Sequence, residues 1–185
     1  IVPGDPKETD FHYVHGTPSA QRLTGQNTTG GGAGPTPVTP DGLTTIDGLP
    51  LLKPPYGTLS AIDLSNGDIT WQVAHGDTPD NIKNHPALKG LKIPRTGRTG
   101  ILGPTVTKTL LICGEAGFGI SPQGVRGAML RAYDKATGAE RGAVYMPGPQ
   151  TGAPMTYMLD GRQYIVLGIG GDHSAELIAF RLPRI

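Results

Sequence analysis

One cysteine and one tryptophan in 185 residues set the first limits. Cys113 has no intramolecular disulfide partner, and without a second cysteine there is no CxxC pair for a metal or for covalent haem attachment. It closes the apolar run of "LLICGEAG", the setting of a small buried hydrophobe rather than a reactive thiol. Charge of one sign is missing as well. The 16 Lys+Arg and 15 Asp+Glu form no blocks, which argues against nucleic acid or an anionic membrane as a partner. No apolar run approaches the ~20 residues of a spanning helix. No stretch carries an apolar stripe of helical period, so helices are not expected. No signal peptide is visible, and because the chain opens on "IVPGDPKETD" without a methionine, its beginning does not reveal the compartment.

Several catalytic signatures are absent too. His12, His15, His75, His85 and His173 show neither HxH nor HExxH spacing, so a zinc site is not expected. "GGGAG" at 30–34 lacks the Lys-Ser/Thr of a phosphate loop and follows no strand. No G-x-S-x-G elbow marks a hydrolase nucleophile.

What the chain does have is glycine (29) and proline (18), together about a quarter of its residues. With apolar runs such as "TLLICG" and "YIVLGIG", that composition implies an all-β fold rich in turns rather than disorder. Residues 1–50 read as an irregular segment or surface excursion, crowded with Gly, Thr and Pro. Residues 51–185 read as strands. "YGTLSAIDL" and "DITWQVA" form a hairpin through Ser65-Asn66-Gly67, and a polar loop follows over residues 75–100. "GPTVTKTLLICGE" is two short strands about a Thr-Lys turn. "AMLRAYDKATGAERGAVYM" repeats the first hairpin. "APMTYMLDGRQYIVLGIGG" turns at Asp160-Gly161, and "AELIAFRLP" is a last strand.

These strands, roughly nine, fall into a phase. If A and B are inner strands and C and D an outer hairpin, residues 57–74 supply C and D, 102–147 supply A through D, and 152–182 supply A, B and C. Four-stranded sheets recurring in this way are the pattern of a β-propeller, here about two to two and a half blades. A closed ring takes typically 4–8 blades. The expectation is therefore a C-terminal part of a longer protein, or one chain of an assembly, with the remaining blades as partner.

The stretch "LSAIDLSNGDITWQV" resembles the tryptophan-docking repeat, Ala-x-Asp-x-x-x-Gly-x-x-x-Trp, of dehydrogenases that use pyrroloquinoline quinone (PQQ). "DGLPLLKPPYGTLSAIDL", "NHPALKGL", "GPTVTKTLLICGE", "LRAYDKATG" and "PMTYMLDGRQYIVLGIGG" extend the resemblance to the glucose-dehydrogenase-like branch over about residues 46–183. In the second copy of the repeat Gly142 stands where the tryptophan is expected, so docking there should be weaker or built differently.

The resemblance implies a PQQ-dependent oxidation of a sugar or other alcohol, hydride passing to the quinone and electrons to a membrane quinone or cytochrome, in the bacterial periplasm. It implies PQQ and a calcium-type ion as cofactors. The family's general base, ion ligands and stacking tryptophan belong to earlier blades, so no catalytic residue and no metal ligand is assigned here, and this piece alone is expected to be inactive. Asp63, Asp134 and Asp160 read as turn residues. Candidate cofactor contacts are Arg98, Gly100, Leu102 and Gly103, at the Gly-rich entry to strand A. The two glycines either admit the cofactor's close approach or only let the strand enter a crowded axis. Arg98 either pairs with a cofactor carboxylate or is an exposed loop arginine. "GIGGDHS", 168–174, could border the same channel. The alternative is a non-catalytic propeller scaffold of the outer-membrane-assembly type; "LPLLKPPYG" and "NHPALKG", which lie outside the repeats, favour the enzyme.

Overall fold

The computed structural model describes residues 2–3, 13–14, 45–121, 123–170 and 175–182. The chain divides into two compact units, Ile1–Pro35 and Thr36–Ile185. In the first, β1 (Val2–Pro3) and β2 (Tyr13–Val14) pair antiparallel, with Val2 opposite Val14. His12, His15, the glycines at 30–34 and most of "GIGGDHS", with His173, lie outside the described residues.

The second unit is a succession of antiparallel sheets. A short hairpin of β3 (Thr45–Ile46) and β4 (Leu49–Pro50) turns on Asp47-Gly48. Then β5 (Thr58–Ile62) pairs with β6 (Ile69–Ala74). The complete blade contains β7 (Thr105–Val106), β8 (Leu110–Gly114), β10 (Arg126–Asp134) and β11 (Glu140–Met146), hydrogen-bonded in the order β11-β10-β8-β7. A two-residue strand, β9 (Gly119–Ile120), pairs with the start of β10. The last sheet is β12 (Met155–Leu159), β13 (Arg162–Ile169) and β14 (Glu176–Arg181), in that order. β12 and β13 meet through Asp160-Gly161, whose φ values of 49° and 69° match the two-residue turn expected. The blade phase is thus CD, ABCD and ABC, an all-β partial propeller.

The connection at 75–100, expected as loop, contains one helical turn, α1 (Asp80–Lys83), and a 3-10 turn at Pro86–Leu88. Asp80 in the first turn and Lys83 in the last complement the helix dipole, while Ile82, 3 % exposed, pins the turn from below.

β10 is buried on both sides, as a strand between two neighbouring blades must be. One face carries Ala128 and Leu130, which join Ile112 and Met146 of the same sheet and Leu167 and Ile169 of the last one in a single apolar cluster. The other face carries Arg131 and Tyr133, and these turn toward the end of β6. Cys113 is 1 % exposed, and burial pushes its thiol up to about 11, so it is the inert hydrophobe its sequence setting implied.

The two copies of the repeat fold alike in detail. Ala61 stands directly opposite Trp71, and Ala132 directly opposite Gly142; in both hairpins the register then shifts by a bulge. Gly67 N–H donates to the Asp63 carbonyl at 2.7 Å, and Gly138 N–H to that of Asp134 at 2.8 Å. Each aspartate carboxylate also caps its turn: Asp63 accepts from Ser65 N–H and Oγ–H, Asp134 from Ala136 and Thr137 N–H. Trp71 reaches from its own hairpin to the turn of the next blade. Its Nε1–H donates to the Lys135 carbonyl at 3.0 Å, and its ring covers Gly138, where a Cβ would stand 2.6 Å from Cε3. The corresponding position, Gly142, has nothing within 4 Å of a Cβ built on it.

Candidate functional site

The residues after β6 and the residues after β8 emerge at the same end of the sheets, and between them lies a cleft of about 290 Å³. Asp77, Asp80, Lys83, Arg95 and Arg98 line it from the first connection, Glu115 and Gly119 from the second. In blade terms, the D-to-A link meets the B-to-C link here.

Arg98 is held into this cleft by its backbone. Its N–H donates to the His75 carbonyl at 2.7 Å, and two residues earlier Thr96 accepts from Tyr56 N–H at 2.7 Å. The segment therefore runs as an added rung beside the hairpin end, with Gly97 and Arg98 packed against Gly57. Arg98 is 7 % exposed, which sets aside the exposed loop arginine considered from sequence. Its Nη1 donates to the Phe118 carbonyl at 2.7 Å. Its Nη2 lies beside Gly119, at 3.0 Å from where a Cβ would stand. Its Nε is buried and has no hydrogen-bond partner among the described residues. A guanidinium placed so lacks part of its solvation.

The acidic side of the cleft is tied up in ion pairs. Arg131, 5 % exposed, binds Glu115 Oε1 at 2.7 Å, Asp77 Oδ2 at 2.7 Å and Glu140 Oε1 at 3.0 Å. Burial works against its charge, but the carboxylates of Glu115, Asp77 and Glu140 outweigh that and keep its pKa above the ordinary arginine value. Arg95 adds a second bond to Glu140 at 2.7 Å and donates to the Gly76 carbonyl. Three acids and two arginines thus satisfy one another across two blades.

His75 lies beneath this network. Its Nε2 is 2.8 Å from the Gly114 carbonyl and its Nδ1 is 3.0 Å from the Tyr133 hydroxyl. A carbonyl only accepts, so Nε2 carries the proton, and Nδ1 accepts from Tyr133 in the neutral ring. Burial lowers the His75 pKa against the raising effects of Gly114 and Glu115, and burial pushes Tyr133 up to about 12. Both groups are neutral near pH 7.

The other sequence candidates do not line the cleft. Gly100 packs against the Ala116 methyl, and Gly103 against that of Ala153, where a Cβ would stand 2.9 Å away. The Gly103 carbonyl accepts from Gln150 Nε2 at 2.9 Å, and Leu102 is half-buried beside Gly100. Asp63, Asp134 and Asp160 occupy turns, the first two with pKa values lowered, by hydrogen bonds from Ser65 and from Arg141 and its turn. Among the described residues no group of three or more His, Cys, Asp or Glu is arranged to hold a metal ion. Glu115 and Arg131 were not singled out from sequence. A lone acid ending an apolar run, "LLICGE", is the one signal pointing to the first; nothing local points to the second.

Comparison with known proteins agrees with the architecture. The family model described as "PQQ: Glucose/ethanol/alcohol dehydrogenase, beta-propeller domain" matches residues 8–165. A probable quinate dehydrogenase (quinone) of Xanthomonas campestris pv. juglandis is 39 % identical over 147 residues, covering 74 % of this chain and 17 % of its own. A quinate/shikimate dehydrogenase (quinone) of Acinetobacter baylyi is 34 % identical over 145 residues, with the same 74 % and 17 % coverage. A quinoprotein glucose dehydrogenase of Gluconobacter oxydans is 28 % identical over 141 residues, covering 73 % of this chain and 16 % of its own. The chain spans about 17 % of the length of these relatives. With the docking hairpins, the blade phase and the matched residues in agreement, the chain belongs to the β-propeller domain family of PQQ-dependent glucose/ethanol/alcohol dehydrogenases.

Proposed function

We propose that this chain forms part of the wall of the cofactor site in a PQQ-dependent dehydrogenase that oxidises a sugar or other alcohol. The observation that carries this reading is Arg98, buried in a cleft at the loop end of the blades with its Nε unpartnered. The fit is chemical. A tricarboxylated, planar cofactor needs fixed cations at its rim, and Arg98 offers a fork of donors beside Gly119, where no side chain stands in the way. Arg131 and Arg95 bind the neighbouring carboxylates and offset two of their three charges, which weakens their repulsion of an anion. When bound, PQQ supplies the quinone that accepts the substrate's hydride. The residues of this chain orient the cofactor and keep Arg98 in place; the general base belongs to other blades. A calcium-type ion, a periplasmic setting, transfer of electrons to a quinone or cytochrome, and completion of the ring by further blades belong to the same proposal. The relatives' names support it, since quinate, shikimate and glucose are all polyhydroxylated six-membered rings and two of the names specify a quinone.

The test is equilibrium dialysis of the intact protein, with all its blades, against PQQ and calcium, followed by dye reduction with glucose, quinate and simple alcohols. Arg98→Met is expected to weaken PQQ binding by about tenfold to a hundredfold, as the loss of a charge-assisted hydrogen bond of about 1.5–3 kcal/mol requires. Unchanged PQQ affinity in a folded Arg98→Met protein removes Arg98 from the site. No PQQ binding by the intact wild-type protein overturns the enzyme reading.

A further inference from the structure

His75 follows β6 directly, and three segments meet on it. Its N–H donates to the Gly57 carbonyl at 3.0 Å, which closes the β5–β6 hairpin, and its carbonyl accepts from Arg98 N–H at 2.7 Å. Its ring reaches across to the complete blade, to the Gly114 carbonyl and the Tyr133 hydroxyl. The carbonyl that fixes Arg98 thus belongs to a residue whose side chain is pinned in the next blade. Gly76 extends the same contact. With a φ of 82° it lies against Arg98, whose Cβ is 3.1 Å from where a Gly76 Cβ would stand. Its backbone N–H donates to the Tyr133 oxygen. Tyr133 therefore holds both residues, His75 through the ring and Gly76 through the main chain, and each of them touches Arg98. Little slack separates them, since a Cβ at Gly97 would stand 2.9 Å from the His75 carbonyl oxygen. A shift of His75 is passed on to Arg98.

The clamp works in one charge state. Nε2–H donates to a carbonyl, so in the neutral ring Nδ1 is the acceptor that the Tyr133 O–H meets. A proton on Nδ1 sets two donors face to face. Tyr133 must then turn its O–H away, and Nδ1–H is left to donate to an oxygen that already accepts from Gly76. The ring is 5 % exposed, so water does not take over the lost bond. Charged groups face it from each neighbouring element. Glu115 beyond β8 favours the charged ring, while Arg131 of β10 and Arg95 of the connection oppose it. Asp77 of the connection and Glu140 of β11 face the same network and are bound by Arg131.

We propose that His75 is a positioning residue for Arg98: its uncharged ring clamps the end of β6 onto the complete blade and so holds Arg98 in the cleft, and protonation of the ring releases the clamp and weakens anion binding there. The inference rests on the reading of Arg98 as a contact for an anionic cofactor, and it gives that site a pH dependence seated in a residue that does not touch the cofactor.

The test uses the intact protein, with all its blades, and two readouts between pH 7 and 5. The first needs no cofactor: hydrogen exchange of the Arg98 amide, corrected for the intrinsic pH dependence of exchange, with the amides of β10 as reference. The second is equilibrium dialysis against PQQ with calcium. As pH falls, Arg98 protection is expected to drop by about fivefold or more beyond any drop in β10, and PQQ affinity by a similar factor. A merely structural histidine would move Arg98 and β10 together. In His75→Gln, whose side chain donates and accepts without titrating, both readouts should stay level over this range. Tyr133→Phe keeps the ring and removes the hydroxyl, so Arg98 protection relative to β10 is expected to be about fivefold lower already at pH 7. This variant serves if His75→Gln does not fold. Arg98 protection that stays level in the wild type, or falls only as β10 does, overturns the proposal. So does the same fall in His75→Gln as in wild type, or wild-type protection of Arg98 in Tyr133→Phe. Exchange that behaves as expected without any PQQ binding upholds the His75 clamp and overturns the cofactor reading of Arg98.

Discussion

Replacing Arg131 by methionine removes the cation that three carboxylates share. The three do not suffer equally. Asp77 is 61 % exposed and Glu140 27 % exposed, so water takes over much of their solvation, and their loss of a partner costs about 1 kcal/mol or less each. Glu115 is 3 % exposed, and without Arg131 its side chain keeps, among the described residues, only the Asp77 N–H at 3.2 Å. Breaking a buried pair from one side costs about 3–5 kcal/mol, because the remaining charge is stranded. Nearly all of the effect should therefore come from Glu115. Amide hydrogen exchange of β8 and β10 reads it directly, with a loss of protection of about a hundredfold or more in Arg131→Met. The double variant Arg131→Met/Glu115→Leu removes both charges and should recover most of that loss. The reasoning is refuted if the single variant costs less than about 1 kcal/mol, or if the double variant is no better than the single one.

Two further outcomes follow from the same interface. Trp71, half-buried, gives up part of its apolar contact and one hydrogen bond in Trp71→Ala, which should destabilise the contact between the first and complete blades by about 1–3 kcal/mol, and Gly138→Ala should do comparable damage, since its φ of 73° disfavours a side chain and the new methyl meets the Trp71 ring; if the Gly138 variant unfolds in urea like wild type, the docking geometry is wrong. His75 has its pKa lowered below 6.5 by burial, so its contribution to stability is present above about 6.5 and is lost as pH falls through and below that value, where the unfolded chain takes up a proton that the folded one resists. His75→Gln can still donate to Gly114 and accept from Tyr133, and it should flatten the fall in urea-unfolding midpoint between pH 7 and 5; an unchanged slope assigns that fall to other groups.

The strand order was legible because it rests on short-range rules. Alternation, the Asp160-Gly161 and Ser65-Asn66-Gly67 turns and the aspartates that cap the docking turns are all local, and each is found in place. The helical turn at Asp80–Lys83 was not legible, since four residues are too few to show a period and its stability comes from burying Ile82. For the candidate site only Arg98 was anticipated. Glu115 and Arg131, across the cleft from it, stand 17 and 33 residues further along the chain, and no local pattern announces that Arg131 reaches Asp77 in the connection from the preceding blade.

By itself, then, the sequence determined the blades, their hairpins and the family they belong to, because hydrophobic alternation and turn chemistry act over a few residues. It also recorded the loss of the docking tryptophan at Gly142. Tertiary structure decided what those residues do to one another. Packing blade against blade buried Arg98 with its Nε unpartnered among the described residues and locked Arg131 among three acids. Burial and long-range pairing set the cost of each charge and each void, and neither is a property of any short stretch of chain.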